Sequence, residues 1–146
     1  MRSSITSSEG APSNRPTDKP VRVLLADDNE AMLARIALVL TSECAIVAAV
    51  TDGAAALDAA DMLQPDVIVL DISMPGMSGL EVAYCLRAAG STAALIFLTI
   101  YEDEEMANAA RAAGGIGYVV KSRIATDLVV AIREARAGRP FVSALR

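Results

Sequence analysis

The chain reads as an α/β domain built on a parallel sheet. Two observations predict this class. Five short runs rich in Val, Ile and Leu show little polar alternation, as strands buried on both faces do, and helix-length amphipathic segments separate them.

The first run, 21–26, leads into a helix predicted over 30–41, where Met32, Ile36, Val39 and Leu40 fall on one apolar face. The second run, 45–50, closes on Val50-Thr51-Asp52-Gly53, a turn and helix start, and the next helix is predicted over 53–63. The third run, 67–70, precedes a helix over 79–89 that opens with Ser78-Gly79-Leu80-Glu81, the spacing of a capping box. The fourth run, 95–99, is followed by a helix over 104–113. The fifth, 117–120, is followed by a helix over 125–137 that carries Leu128, Ile132 and Ala135 inward, with Arg133 and Arg136 elsewhere on its surface. Ahead of all five units, residues 1–19 are rich in Ser, Thr and Pro and nearly devoid of apolar side chains, so a flexible tail is expected there.

Composition narrows the chemistry. The 146 residues suffice for one domain with its own core, and the longest apolar runs are too short to span a bilayer. No apolar segment near the N-terminus marks the chain for secretion, so a soluble cytoplasmic protein without a membrane partner is expected. Cys44 and Cys85 lie in apolar stretches without metal-ligand spacing and are read as small buried hydrophobes. The chain has no histidine, which excludes Ser-His-Asp triads, His-paired cysteines and zinc-binding HExxH helices together. A net charge of −5 and five aromatics with no Trp argue against direct nucleic-acid binding.

Right-handed βα crossovers bring the C-terminal ends of all parallel strands to one edge of the sheet. Asp27 and Asp28 follow the first run, Asp71 the third, Thr99 closes the fourth and Lys121 follows the fifth. Three carboxylates gathered without a cation repel one another, so the arrangement favours a hard divalent ion, and Mg²⁺ suits it. Lys121 is the one lysine outside the tail of a chain that otherwise uses arginine, and a compact ammonium fits a phosphoryl oxygen.

These residues resemble the receiver domains of bacterial two-component response regulators. The resemblance rests on Val-Leu-Leu-Ala-Asp27-Asp28, on Pro65-Asp66-Val-Ile-Val-Leu-Asp71-Ile-Ser-Met74-Pro75-Gly-Met-Ser-Gly79, on Phe97-Leu98-Thr99 and on Gly117-Tyr118-Val-Val-Lys121, in that order along the chain. It implies a flavodoxin-like (βα)5 fold, a doubly wound parallel sheet of order 2-1-3-4-5, with the receiver over 20–138. It implies Asp71 as phosphoacceptor from a phosphohistidine on a sensor histidine kinase, and Mg²⁺ held by Asp28, Asp71 and the Ser73 carbonyl, with Asp27 acting through water. Lys121 and Thr99 are implied as phosphoryl contacts and Tyr118 as the switch residue, with the result passed to an output, transcription regulation being the expected one. Ser73 and Tyr101 replace the acidic or amide residues of fast-cycling relatives, so a slowly hydrolysing phosphoryl group is expected, and Ile100 is expected to narrow access.

The segments 112–118 and 137–143 resemble the NarL/LuxR-type subfamily, in which a linker leads to a helix-turn-helix domain. Residues 139–146 are accordingly expected to be the start of such a linker or a C-terminal tail, with no DNA-reading helix in this sequence. A homodimer through a face including the fifth helix is compatible with the resemblance. Three competing classes fit less well. A haloacid-dehalogenase-type phosphohydrolase places a second Asp two residues after its nucleophile, where this chain has Ser73. A flavodoxin-type electron carrier needs a phosphate loop where Asp27-Asp28-Asn29 would repel the phosphate. A phosphorylation-independent interaction module on the same fold has no use for the full set of site residues.

Overall fold

A computed structural model describes residues 19–145, so the tail expected over 1–19 lies, apart from Lys19, outside the described residues. The elements run β1 (Val21–Ala26), α1 (Glu30–Leu40), β2 (Cys44–Val50), α2 (Gly53–Leu63), β3 (Val67–Asp71), α3 (Gly79–Ala88), β4 (Ala94–Thr99), α4 (Glu104–Ala112), β5 (Gly115–Val120), α5 (Ile124–Arg136) and β6 (Phe141–Val142), with a 3-10 turn at Lys121–Arg123. All pairings are parallel, in the order β2-β1-β3-β4-β5-β6. The predicted order is therefore present and extended by one strand.

Alternation along the central strands builds two cores, one on each face. Leu24, Ile68, Leu70, Leu95, Phe97 and Tyr118 pack beneath α2, α3 and α4. Val23, Leu25, Val67, Val69, Ile96, Leu98 and Val119 pack beneath α1 and α5. This double burial is why the strand runs lack polar alternation. The edge strand β2 is only half-buried, and Cys44 with it.

Cys85 departs from its expected burial and is exposed. It lies on α3 one residue short of Leu86, outside the buried stripe of Gly79, Val82, Ala83 and Leu86.

Four helices start at the sheet edge with a side-chain cap. Asn29, Asp52, Ser78 and Asp103 accept the backbone N–H of Met32, Ala55, Glu81 and Met106. Each such cap contributes about 1 kcal/mol and aims the helix back over the sheet. The predicted capping box is complete, since the Glu81 carboxylate also accepts the Ser78 N–H at 2.9 Å.

The C-terminal end of α5 turns sharply. Gly138 adopts φ +78°, its N–H donates to the Ala135 carbonyl at 3.0 Å and the Arg139 N–H donates to Glu134 at 2.8 Å. This is a Schellman ending, and a left-handed glycine makes it possible. Pro140 then directs the chain into β6, so residues 141–142 of the stretch expected to be a linker start or C-terminal tail pair with β5.

Candidate functional site

The pairing of Ala26 with Leu70 and of Thr99 with Val120 aligns the strand ends. Asp27 follows β1, is fully buried, and accepts the Asn29 N–H on Oδ1 at 2.9 Å. Asp28 beside it is exposed. Asp71 closes β3 at 3% exposure and accepts the Ser73 N–H on Oδ1 at 3.2 Å. Lys121, one step beyond β5, places Nζ 2.9 Å from Asp27 Oδ2 and 3.2 Å from Asp71 Oδ2.

The electrostatics of this cluster are unbalanced. Burial pushes the Asp71 carboxyl up to about 6, helped by the Asp27 charge and opposed by Lys121 and the Ser73 N–H. Burial lowers Lys121, but the two carboxylates more than reverse this and raise it above its ordinary value. Buried Asp27 Oδ2 meets the ammonium as an ion pair yet takes no well-aligned hydrogen bond. Asp27, Asp28 and Asp71 each offer one oxygen, all within 4.8 Å of one another. Three carboxylates against one ammonium leave two negative charges, which one divalent cation cancels. An all-oxygen acidic donor set fits Mg²⁺ chemically.

α3 is brought against this cluster by a glycine. The Gly79 N–H donates to the Ile72 carbonyl at 2.8 Å, and a Cβ at position 79 would press into the Asp71 carbonyl oxygen and lie 3.0 Å from Ile72 Cα. The Ser-Gly pair after Asp71 was legible as a helix cap, but this close approach was not.

Thr99 and Tyr118 both hold the loop after β4. Thr99, 1% exposed, accepts the Tyr101 N–H on Oγ1 at 3.0 Å, and the Tyr118 hydroxyl donates to the Tyr101 carbonyl at 2.9 Å. Tyr118 is itself buried, and that burial raises its phenol above the ordinary value. Ser73 is exposed. Ile100, expected to narrow access, is 69% exposed.

Residues 23–133 match the response regulator receiver domain family. The chain belongs to that family. This receiver is 38% identical over 130 residues to the nitrate/nitrite response regulator protein NarP of Escherichia coli (strain K12), covering 88% of this chain and 60% of NarP. It is 34% identical over 119 residues to the probable transcriptional regulatory protein TcrX of Mycobacterium tuberculosis, covering 82% of this chain and 51% of TcrX. The chain thus spans between about half and three fifths of the length of these relatives. Among solved structures, it resembles the signal receiver domain of the putative response regulator NarL from Mycobacterium tuberculosis, with TM-score 0.79 and 28% identity over 83% of this chain and 99% of that one. A two-component response regulator of the LuxR family from Aurantimonas sp. gives TM-score 0.80 and 29% identity over 84% and 89%. The receiver is of NarL/LuxR type, a signalling domain with a flavodoxin-like fold. Among the described residues, no helix is long and apolar enough to cross a membrane.

Proposed function

We propose that this receiver takes a phosphoryl group onto Asp71 and changes conformation to control an output. The observation that carries the reading is the convergence of Asp71 with Asp27, Asp28 and Lys121 at one sheet edge. In the transfer, a carboxylate oxygen of Asp71 attacks phosphorus, the bond from phosphorus to a donor histidine nitrogen breaks, and the histidine retains the electron pair. The donor histidine lies outside these 146 residues, which contain none, and a sensor histidine kinase is the source this reading assigns.

Asp28, Asp71 and the Ser73 carbonyl would hold Mg²⁺, with Asp27 assisting through water. When bound, the ion would supply positive charge to stabilise the phosphoryl group in transfer. Lys121, already drawn toward Asp71, supplies a second positive charge there. Thr99 is the hydroxyl contact to the bound phosphoryl group, donating its O–H to a phosphoryl oxygen, and a rotation of the side chain toward that group releases the Tyr101 N–H that Oγ1 now accepts. Tyr118, bonded to the same residue's carbonyl, reports the change to the α4, β5 and α5 face.

In this reading the receiver acts in the cytoplasm, its output is transcription regulation, and pairing of two copies through a face including α5 is compatible with it. Incubation with acetyl phosphate, with and without Mg²⁺, tests the central claim by intact mass. The expected result is a Mg²⁺-dependent gain of one phosphoryl group that Asp71→Asn abolishes. Failure with both acetyl phosphate and phosphorylated histidine-kinase donors overturns the reading.

A further inference from the structure

Asp127 is a carboxylate on the sheet-facing side of α5, among Ile124, Leu128 and Ala131. A charge in such a place is costly unless fully partnered. Its Oδ2 accepts the Ser143 hydroxyl at 2.7 Å and Arg123 Nε–H at 2.9 Å, and its Oδ1 accepts the Thr126 hydroxyl at 3.0 Å. Burial raises the carboxyl, but these three donors outweigh it and hold the group below the usual range.

Ser143 is 2% exposed and grips β5 twice. Its N–H donates to the Tyr118 carbonyl at 2.8 Å, and its Oγ accepts the Val120 N–H at 3.1 Å. Tyr118 holds the loop after Thr99, and Val120 immediately precedes Lys121. Two residues further on, Leu145 packs against the cluster that contains Tyr118 and Ala107. An edge strand needing only termination could have met solvent at this point, whereas this one closes on the stretch of β5 that reaches the site.

We propose that Ser143, fixed by Asp127, is a positioning residue for the Lys121-bearing end of β5, so that docking of residues 141–145 and phosphoryl binding at Asp71 are energetically coupled. The proposal rests on the phosphoacceptor reading above. The latch holds the arrangement in which Tyr118 is buried. By linkage, a phosphoryl group that favours this arrangement tightens the latch, and loss of the latch weakens phosphoryl binding by the same factor.

The test uses the full 146-residue chain with Mg²⁺ and beryllofluoride as phosphoryl mimic, comparing wild type with Ser143→Ala, Ser143→Thr and Asp127→Asn. Thermal unfolding establishes that each variant is folded. Amide exchange of residues 141–145 and apparent beryllofluoride affinity are then read on the folded proteins. Beryllofluoride is expected to slow exchange over 141–145 in wild type. Ser143→Ala and Asp127→Asn are expected to weaken its binding about fivefold or more, a factor at the lower end of coupling between sites, and Ser143→Thr to restore most of it. If Ser143→Ala does not fold, the comparison of Asp127→Asn with wild type decides alone. Wild type that binds beryllofluoride, with variants that match its affinity and exchange over 141–145 that ignores the mimic, overturns the coupling and leaves the phosphoacceptor reading intact. Wild type that binds no beryllofluoride in the presence of Mg²⁺ overturns both.

Discussion

The Lys121 ammonium lies 3.2 Å from Oδ2 of Asp71, and it reaches the buried Asp27 carboxylate with the same nitrogen. One cation therefore serves two carboxylates that otherwise repel each other. Lys121→Met strips both of their partner at once. Breaking a buried pair typically costs about 3–5 kcal/mol, and here the metal-free protein is expected to lose about 2–4 kcal/mol at pH 7.5 because Lys121 retains some solvent contact. Urea unfolding in EDTA measures this. A loss that does not shrink at pH 5, where Asp71 carries a proton, counts against the repulsion account.

Asp71 itself predicts a pH dependence with a definite sign. Its folded pKa of about 6 stands above the ordinary 3.8. Between those values the folded state keeps a proton that the unfolded chain has released, so stability is fully present below 3.8 and is lost as pH rises through 6. Raising a carboxyl that far corresponds to about 3 kcal/mol as an upper figure. Metal-free Asp71→Asn is expected to be more stable than wild type by about 1–3 kcal/mol at pH 7.5, with the gap closing toward pH 4. A gap that widens on acidification would contradict the assignment.

The surplus of negative charge also predicts stabilisation by Mg²⁺. The unfolding free energy is expected to rise with Mg²⁺ at pH 7.5, following the logarithm of concentration above the dissociation constant, by about 2.7 kcal/mol at a hundredfold excess, and the melting temperature rises with it. The rise should be smaller at pH 5, where Asp71 is protonated, and largely absent in Asp28→Asn. Calorimetric scans across a Mg²⁺ series at the two pH values decide it.

Gly79→Ala is expected to be costly although it replaces glycine inside a helix, normally a gain. The added methyl meets backbone rather than a yielding side chain, so α3 must back away from β3. A loss of about 1–3 kcal/mol is expected, as for overpacking with a backbone shift. Phosphorylation of Asp71 should slow in parallel, because its own carbonyl is what the methyl strikes. A variant as stable as wild type would show that the helix start slides freely.

The phosphoryl group, once formed, is expected to persist, since neither exposed Ser73 nor Tyr101 presents a carboxylate or amide to align water. Ser73→Asn supplies an amide. A gain of about 1 kcal/mol in water orientation shortens the lifetime about fivefold. Loss of label from the two proteins, followed by intact mass beside a chemotaxis-type receiver, provides the comparison. Wild type that loses label as fast as that receiver rejects the expectation.

Much of this site was legible because it is written at strand ends. Asp27, Asp28, Asp71, Thr99 and Lys121 each follow or close an apolar run, and right-handed crossovers send all such ends to one edge. The caps Asp52 and Ser78 were legible for a local reason, since a cap is decided within four residues. β6 was not, because two residues after Gly138-Arg139-Pro140 carry no periodicity and owe their place to Ser143 and Asp127, partners 16 apart. The first two residues of β5 were hidden by Gly115, a poor strand former that fits closely against Phe97, while the run from Gly117 was legible. Arg87 gave no signal either. Its guanidinium donates to the carbonyls of Ser91, Ala93 and Gly114, a role that exists only once α3 has reached β5.

The charges of the site enter the chain in an order that matters during translation. Asp27 and Asp71 are both made before Lys121, and at about 5–20 residues per second the ammonium trails Asp71 by on the order of 3–10 s. Throughout that interval a nascent chain holds two carboxylates that folding would bury side by side with no ammonium between them. β4 also lacks β5 as a neighbour, so premature closure of the sheet is disfavoured on both counts. The counter-charge arrives only at the end of β5, so Asp27 and Asp71 can be buried together against an ammonium only once residue 121 has been made.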